Sequence, residues 1–485
     1  MNIIPYPIHL ALTGKTVLYD ENAIRFQTDE TIPAEGYEIT ADEEKILIKS
    51  SDDDGAYYAM LTLNQIVKNY PDKRIETLVI KDAPKYPYRG FMIDSCRHFF
   101  TVDEIKKMID AAAMLKFNYF HFHLSDDQGF RMEISSWSRL TTVGAERSGS
   151  HFGRAEKDDT PYCHYYTKQQ LKDIVAYCRQ RHIQVVPEFD IPGHTSAVLS
   201  AYPQLSCRSA AVQSKTCSGI FKDILCAGNP DTVRMIKDVI DEMCEIFDGD
   251  YFHIGGDEAP KDRWNVCPKC RQKLAELQLD NMEQLHGHMV NEISAYLKTK
   301  GKKAICWNEA LNGENLESDN MTIAFWMDKT DNSVKWANAS KDIIIEKFNP
   351  YYSDYPYGMY PLSQVYRFNP ERLKGLTQTG AKAIKGIETP IWTEYIRDFD
   401  SMTYMCFPRW FAVADTAWRG NDAKDYKRFV QSARFYCDEL NRLGMKTAPE
   451  SDWTPNVFKR LSDSLKFAAN LMTKDMIKSL LGKNE

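Results

Sequence analysis

The sequence predicts an α/β protein in which a (β/α)8 TIM barrel follows a small α+β domain. Three observations predict it. Eight short apolar runs are spread over residues 89–389, helix-start signals stand between the early ones, and the pattern before residue 84 is of another kind. A chain of 485 residues with 43% hydrophobic content can bury a large core, and that length fits a barrel with an appendage better than one small module.

Residues 1–84 read as the appendage. Tyr37-Glu-Ile-Thr40 and residues 45–50 are strand-like, residues 55–70 are helical, and Thr77-Leu-Val-Ile80 is strand-like again before Ala83-Pro-Lys-Tyr-Pro87 closes the unit. The barrel is expected over 85–445 and a helical tail over 446–485. Its strands are expected at 89–94, 119–124, 184–190, 251–255, 303–308, 322–326, 342–348 and 383–389. Thr101-Val-Asp-Glu104 is a capping box that opens an amphipathic helix to Lys116, and Thr167-Lys-Gln-Gln170 repeats the device before the third run. Helices after the fifth, sixth and seventh runs are poorly marked.

Composition excludes several classes of partner. The net charge of −7 and the absence of a Lys/Arg block argue against nucleic acid. No apolar stretch approaches the roughly 20 residues that span a bilayer. Met1 to Gly14 carries no secretion signal, so a cytoplasmic location is expected, with the twelve scattered cysteines as reduced thiols. Cys267-x-x-Cys270 looks like half of a zinc site, but zinc patterns need a second Cys or His pair at suitable spacing and none is evident. Neither a metal nor another cofactor is expected.

Barrel active sites lie at the C-terminal ends of the strands. Those positions hold Asp94 and Arg97, Asp126 and Asp127, Glu188 and Asp190, Asp257 and Glu258, Trp307 and Glu309, Trp326 and Asp328, Tyr352 and Asp354, and Trp392 with Glu394. Carboxylates interleaved with Trp describe a pocket that grips a sugar and protonates a glycosidic oxygen. In His253-Ile-Gly-Gly-Asp-Glu258, two glycines let the backbone turn at a strand end and present adjacent acids to one cavity. In a regular strand those acids would point to opposite faces. His121 and His123 share one side of their strand, as in metal-dependent amidohydrolases, but the fifth and sixth strands end in Trp307 and Trp326 rather than in further metal ligands. Both histidines are read as barrel interior.

Around the acid pair stand Tyr88-Arg-Gly-Phe-Met-Ile-Asp-Ser-Cys-Arg97, Tyr119-Phe-His-Phe-His-Leu-Ser-Asp-Asp-Gln128, Val186-Pro-Glu-Phe-Asp-Ile-Pro-Gly-His194, Trp307-Asn-Glu309 and Gly386-Ile-Glu-Thr-Pro-Ile-Trp-Thr-Glu394. In order and spacing these segments resemble the glycoside hydrolase family 20 β-hexosaminidases, from about Glu35 through Trp418. The resemblance implies an exo-acting, retaining enzyme that removes terminal β-linked N-acetylglucosamine or N-acetylgalactosamine from a glycan. It implies Glu258 as general acid/base, Asp257 as the group that orients the 2-acetamido substituent, and Tyr352 as hydrogen-bond donor to the acetamido carbonyl. Arg97 matches the arginine on the 3- and 4-hydroxyls, Glu394 and Asp354 match acids on the 4- and 6-hydroxyls, and Trp307, Trp326 and Trp392 match the aromatic walls. His194 would link Glu258 to Asp127 or Asp126. The chain departs from the family in offering only Tyr355, Tyr357, Tyr360 and Tyr366 where a further Trp is common, and in having Asp415 where Glu is usual.

The family is a substrate-assisted exception among retaining glycosidases: the acetamido oxygen, not a protein carboxylate, attacks the anomeric carbon. Glu258 must then carry a proton to donate, and Asp257 must stabilise the charge that develops on the amide nitrogen. The rival readings are a carbohydrate-binding protein on an inactive barrel, a glycosidase with a carboxylate nucleophile, and a family variant specialised for sulfated or longer glycans.

Overall fold

The structure, a computed structural model, describes residues 1–327, 330–422 and 424–471. The N-terminal unit is a five-stranded sheet in the order β1 (His9–Leu18), β5 (Arg74–Asp82), β3 (Tyr37–Ala41), β4 (Ile46–Ser50), β2 (Ile24–Thr28), with α1 (Asp53–Val67) on one face. Strands β3, β4 and β5 and the helix are those expected from the sequence. The two outer strands are additions. Most of their side chains are exposed, with Val17 and Ile24 their only fully buried ones, so neither shows the alternation that marks a half-buried strand.

The eight barrel strands follow: β6 (Tyr88–Asp94), β7 (Tyr119–His123), β8 (Gln184–Glu188), β9 (Tyr251–His253), β10 (Lys303–Trp307), β11 (Met321–Phe325), β12 (Ile343–Ile345) and β13 (Ile384–Ile391). They pair in parallel, each with its sequence neighbour, and β13 closes onto β6 from Gly386 against Tyr88 to Ile391 against Ile93. All eight expected runs are strands. Four long helices return the chain between the first five strands: α2 (Val102–Met114), α3 (Lys168–Arg179), α4 (Pro230–Cys244) and α5 (Met282–Thr299). Both expected capping boxes are present, at Thr101 with Glu104 and at Thr167 with Gln170. The poorly marked second half has a physical reason. Between β10 and β11 the chain makes only a 3-10 turn at Asn308–Gly313, and α6 (Asn332–Asn338) between β11 and β12 has seven residues, too few for an amphipathic repeat to show. After β13, α7 (Arg409–Arg419) is buried along nearly its whole length.

The barrel interior is apolar at its floor and ionic above. Tyr88 and Tyr119 stack with ring centroids 4.2 Å apart, with Val186, Ile305, Ala324 and Ile344 in the same cluster. Above them Glu188 receives His253 Nδ1 at 2.8 Å, His121 Nε2 at 3.1 Å, the Trp307 indole N–H at 3.0 Å and a close contact from His123. His121 Nδ1 also meets Glu388 at 2.7 Å. His121 and His123 are therefore interior groups paired with carboxylates.

The small domain docks on the opposite end of the barrel through buried ions. Arg89 donates two hydrogen bonds of 2.8 Å to the Glu35 carboxylate. The Lys116 ammonium donates to Tyr37 at 2.7 Å, and Trp418 of α7 donates its indole N–H to Asp82 at 2.9 Å. In the tail, helices form at Glu450–Trp453 and Val457–Leu471. The remainder of the expected tail, 472–485, lies outside the described residues.

Candidate active site

The turn after β9 sets the geometry. Gly255 and Gly256 have φ of +64° and +105°, and Glu258 itself sits at +41°. A Cβ on Gly255 would lie 1.6 Å from Asp190 Oδ1, so only glycine lets the turn pass that carboxylate. The Gly256 N–H donates to Asp190 Oδ1 at 3.1 Å, and the Glu258 N–H donates to Glu309 Oε2 at 2.8 Å. Asp190 and Glu309 thus hold the backbone of the acid pair in place.

His194 stands between two pairs of carboxylates. Its Nδ1 lies 3.1 Å from Asp126 Oδ1 and 3.4 Å from Asp127 Oδ2, while its Nε2 faces Asp257 at 3.7 Å and Glu258 at 3.6 Å. Asp126 is the nearer partner. Asp127 is engaged mainly as acceptor for the Ser196 N–H at 2.8 Å, which makes it a brace for the His194 loop. Burial alone would lower the His194 pKa, but the charges of Asp126 and Asp257 outweigh it and hold the imidazole protonated well above its ordinary range. Burial would likewise raise Asp126, yet Arg97 and His194 hold it far below the usual carboxylate range. The Asp257 carboxyl is pushed well up by burial and then by the charge of Asp190, with His194 opposing both.

Across the mouth, Arg97 is fixed on four sides. It donates to Asp94 at 3.1 Å, to Asp126 at 2.7 Å and to Gln128 at 2.9 Å, and its guanidinium lies 5.0 Å from the Trp392 ring centre. Glu394 is 3.8 Å from the same guanidinium. Burial raises the Asp354 carboxyl, and the charge of Glu394 raises it further. Tyr352 stacks on Trp326 with centroids 6.2 Å apart and leans on Trp392 at the same distance.

The structure thus brings Asp257, Glu258, His194 and Asp127 together on one side and Arg97, Asp354, Glu394, Tyr352, Trp326 and Trp392 on the other. Trp307 departs from the expected third wall. It is 1% exposed, with its ring 6.0 Å from Trp392 and its N–H spent on Glu188, so it lies beneath the other aromatics as their support. Asp328 lies outside the described residues. Sequence reading gave no role to Asp190 and Glu309 beyond their place at strand ends, because their service is to backbone N–H groups and has no side-chain motif.

Among the described residues, five buried polar atoms at the site have no hydrogen-bond partner: Asp257 Oδ1, His194 Nε2, Asp354 Oδ1 and the indole nitrogens of Trp326 and Trp392. Buried polar groups left unpaired cost free energy unless a ligand supplies their partners. The two carboxylate oxygens can accept from N–H or O–H groups and the two indoles can donate, so the open positions suit a ligand that carries both donors and acceptors.

Residues 86–421 match the family described as glycosyl hydrolase family 20, catalytic domain, and residues 4–83 match its domain 2. A β-hexosaminidase of Porphyromonas gingivalis is 36% identical over 87% of this chain and 56% of its own length, and one of Akkermansia muciniphila is 30% identical over 88% of each. A β-hexosaminidase of Vibrio furnissii is 31% identical over 81% of this chain and 66% of its own length, so the chain spans less than two thirds of some curated relatives. Among solved structures, a β-N-acetylhexosaminidase superposes with a TM-score of 0.85 at 27% identity, covering 94% of this chain and 97% of its own. That of Bacteroides fragilis gives 0.81 at 28% identity, covering 94% and 99%. With both units matched in order and the barrel matched from its first strand to α7, the chain belongs to glycosyl hydrolase family 20.

Proposed function

We propose that the chain is an exo-acting β-N-acetylhexosaminidase that cleaves terminal β-linked N-acetylglucosamine or N-acetylgalactosamine from a glycan, with retention. The observation that carries this is the unpaired, buried Oδ1 of Asp257 next to Glu258 at the barrel mouth. In this reading Asp257 Oδ1 accepts the acetamido N–H and Tyr352 donates to its carbonyl, which turns that oxygen toward the anomeric carbon. The oxygen forms a bond to the anomeric carbon as the glycosidic C–O bond breaks, and the departing oxygen takes the proton of Glu258. The bicyclic oxazolinium ion carries positive charge on nitrogen. Asp257 stabilises it as the carboxylate, a form toward which the His194 imidazolium 3.7 Å away pulls against burial and the charge of Asp190. Water then attacks the anomeric carbon as the bond from that carbon to the acetamido oxygen breaks and the amide is restored, and the water gives a proton to the Glu258 carboxylate, which regenerates the acid.

Exo action is supported by the far wall. Arg97, Asp354 and Glu394 form a dense set of donors and acceptors suited to the free hydroxyls of a terminal sugar, where a continuing chain would need an open cleft.

The test is hydrolysis of aryl β-glycosides. The N-acetylglucosaminide should be cleaved and the glucoside, which lacks the acetamide, should be cleaved negligibly, while a thiazoline analogue of the oxazolinium ion should inhibit tightly. Comparable rates on the two glycosides, or a sugar trapped on a protein carboxylate, would overturn the substrate-assisted reading.

A further inference from the structure

Away from the acid pair, four cysteines from two distant stretches meet. Cys207 and Cys226 flank the excursion 208–225 that leaves the barrel between β8 and α4, while Cys267 and Cys270 stand at the start of the helix Pro268–Glu276. The Sγ atoms of all four lie within 4.8 Å of one another. The separations are 3.8 Å for Cys207 and Cys270, 3.8 Å for Cys226 and Cys267, and 3.5 Å for Cys226 and Cys270.

These distances discriminate between the states open to clustered thiols. A disulfide requires sulfurs about 2.05 Å apart. A zinc ion with four thiolates at about 2.3 Å places each pair of sulfurs about 3.8 Å apart, the edge of a tetrahedron of that radius. The observed spacings match the tetrahedron. Cys226, Cys267 and Cys270 are buried and Cys207 is half-buried, so no position is left for water. The surroundings are built for close approach: a Cβ on Gly228 would lie 2.2 Å from the Lys269 carbonyl carbon, so the turn after Cys226 lies against the first turn of the helix that carries Cys270.

We propose that Cys207, Cys226, Cys267 and Cys270 bind one zinc ion, closed and structural, which pins the 208–225 excursion to the segment that follows the acid pair. Sequence reading lacked the second pair because Cys207 and Cys226 are separated by eighteen residues, outside the short spacings of known zinc motifs. Four sulfur ligands in a tetrahedron select zinc or iron and exclude the hard cations. The pinned excursion reaches the site: the Lys215 N–H donates to the Asp127 carbonyl at 2.8 Å, and Gln128, which holds Arg97, donates to the Cys217 carbonyl at 2.9 Å. Ile220 and Glu258 line one cavity.

The experiment is elemental analysis of the full chain, purified without an affinity tag or added metal, together with alkylation of its thiols in denaturant without reductant. The proposal expects close to one zinc per chain and twelve alkylated cysteines. It also expects Cys226→Ser and Cys267→Ser to lose the zinc, whereas Cys163→Ser, at an exposed thiol, keeps it. In the unaltered chain, removal of zinc by a strong chelator under reducing conditions should free the four thiols and lower the melting temperature by several degrees, reversed when zinc is added back, a readout that stands if the serine variants fail to fold. Cysteines lost to disulfides, free thiols with no metal, or a coloured protein carrying iron would each overturn it. Activity does not enter the readout, so the proposal stands or falls apart from the hexosaminidase reading.

Discussion

At the scale of single residues, the proposed mechanism separates the group that moves a proton from the groups that hold charge. Glu258→Gln should lower kcat by orders of magnitude on substrates with a basic leaving oxygen and much less on an activated aryl glycoside, because proton donation matters most where the leaving group is poor. Equal losses on both would remove Glu258 from that role. Asp126 offers a test through pH. Its carboxyl is held far below its unfolded value, so it contributes stability that is complete above about pH 4 and is lost as pH falls toward the folded value. Asp126→Asn should therefore melt at a lower temperature at neutral pH, with a cost of about 3–5 kcal/mol for a broken buried pair, and show a flatter melting profile below pH 4. Parallel profiles for the two proteins would contradict this. The sequence brought His194 and an aspartate of the Asp126-Asp127 pair together but left the choice open. Adjacent acids in an irregular segment carry no sign of which one turns inward, and only the competing claims of Arg97, His123 and the Ser196 N–H assign them.

At the scale of elements, the strands were legible and the connections only in part. Runs such as Val186 and Ile344 are buried on both faces and bounded by turn residues, which is a pattern that sequence shows directly. The 3-10 turn after β10 and the short α6 are too brief to produce a helical period, and β1 and β2 are outer strands whose side chains face water. The most demanding element is the turn after β9. Gly255→Ala must push Asp190 away from the Gly256 N–H, since the added Cβ would also lie 2.6 Å from the Asp190 Cα. We expect a folded protein with unchanged far-ultraviolet circular dichroism and a loss of kcat/KM of about a hundredfold, the scale of a misplacement of about 1 Å at the reacting groups. Full activity in this variant would show that the turn tolerates a side chain.

At the scale of the whole molecule, the small domain and the barrel share one buried ionic seam. Arg89 is 1% exposed and its charge is met by Glu35, with Tyr58, Tyr86 and Lys116 completing its hydrogen bonds. Glu35→Gln should lower the free energy of unfolding by about 1.5–3 kcal/mol, the worth of charge-assisted hydrogen bonds, and leave KM unchanged because neither residue belongs to the pocket. A denaturant titration paired with steady-state kinetics separates the two, and a changed KM would mean that the seam communicates with the mouth. None of the seam was read from the sequence, where Glu35 and Arg89 are two charges among many and their meeting depends on how two units dock.

Closure of the barrel also orders events in time. Arg97 follows the first barrel strand and Trp392 the last, and they meet only because β13 pairs with β6. A ribosome making this chain therefore completes the acid pair at residue 258 long before the far wall of the pocket exists. Contacts between parts so far apart in sequence form late, because the intervening chain must be brought to heel first. A nascent or truncated chain ending before residue 384 would expose the flank of β6 as an unpaired edge, open to the wrong strand. A complete pocket in this protein is in that sense a report that the barrel has closed.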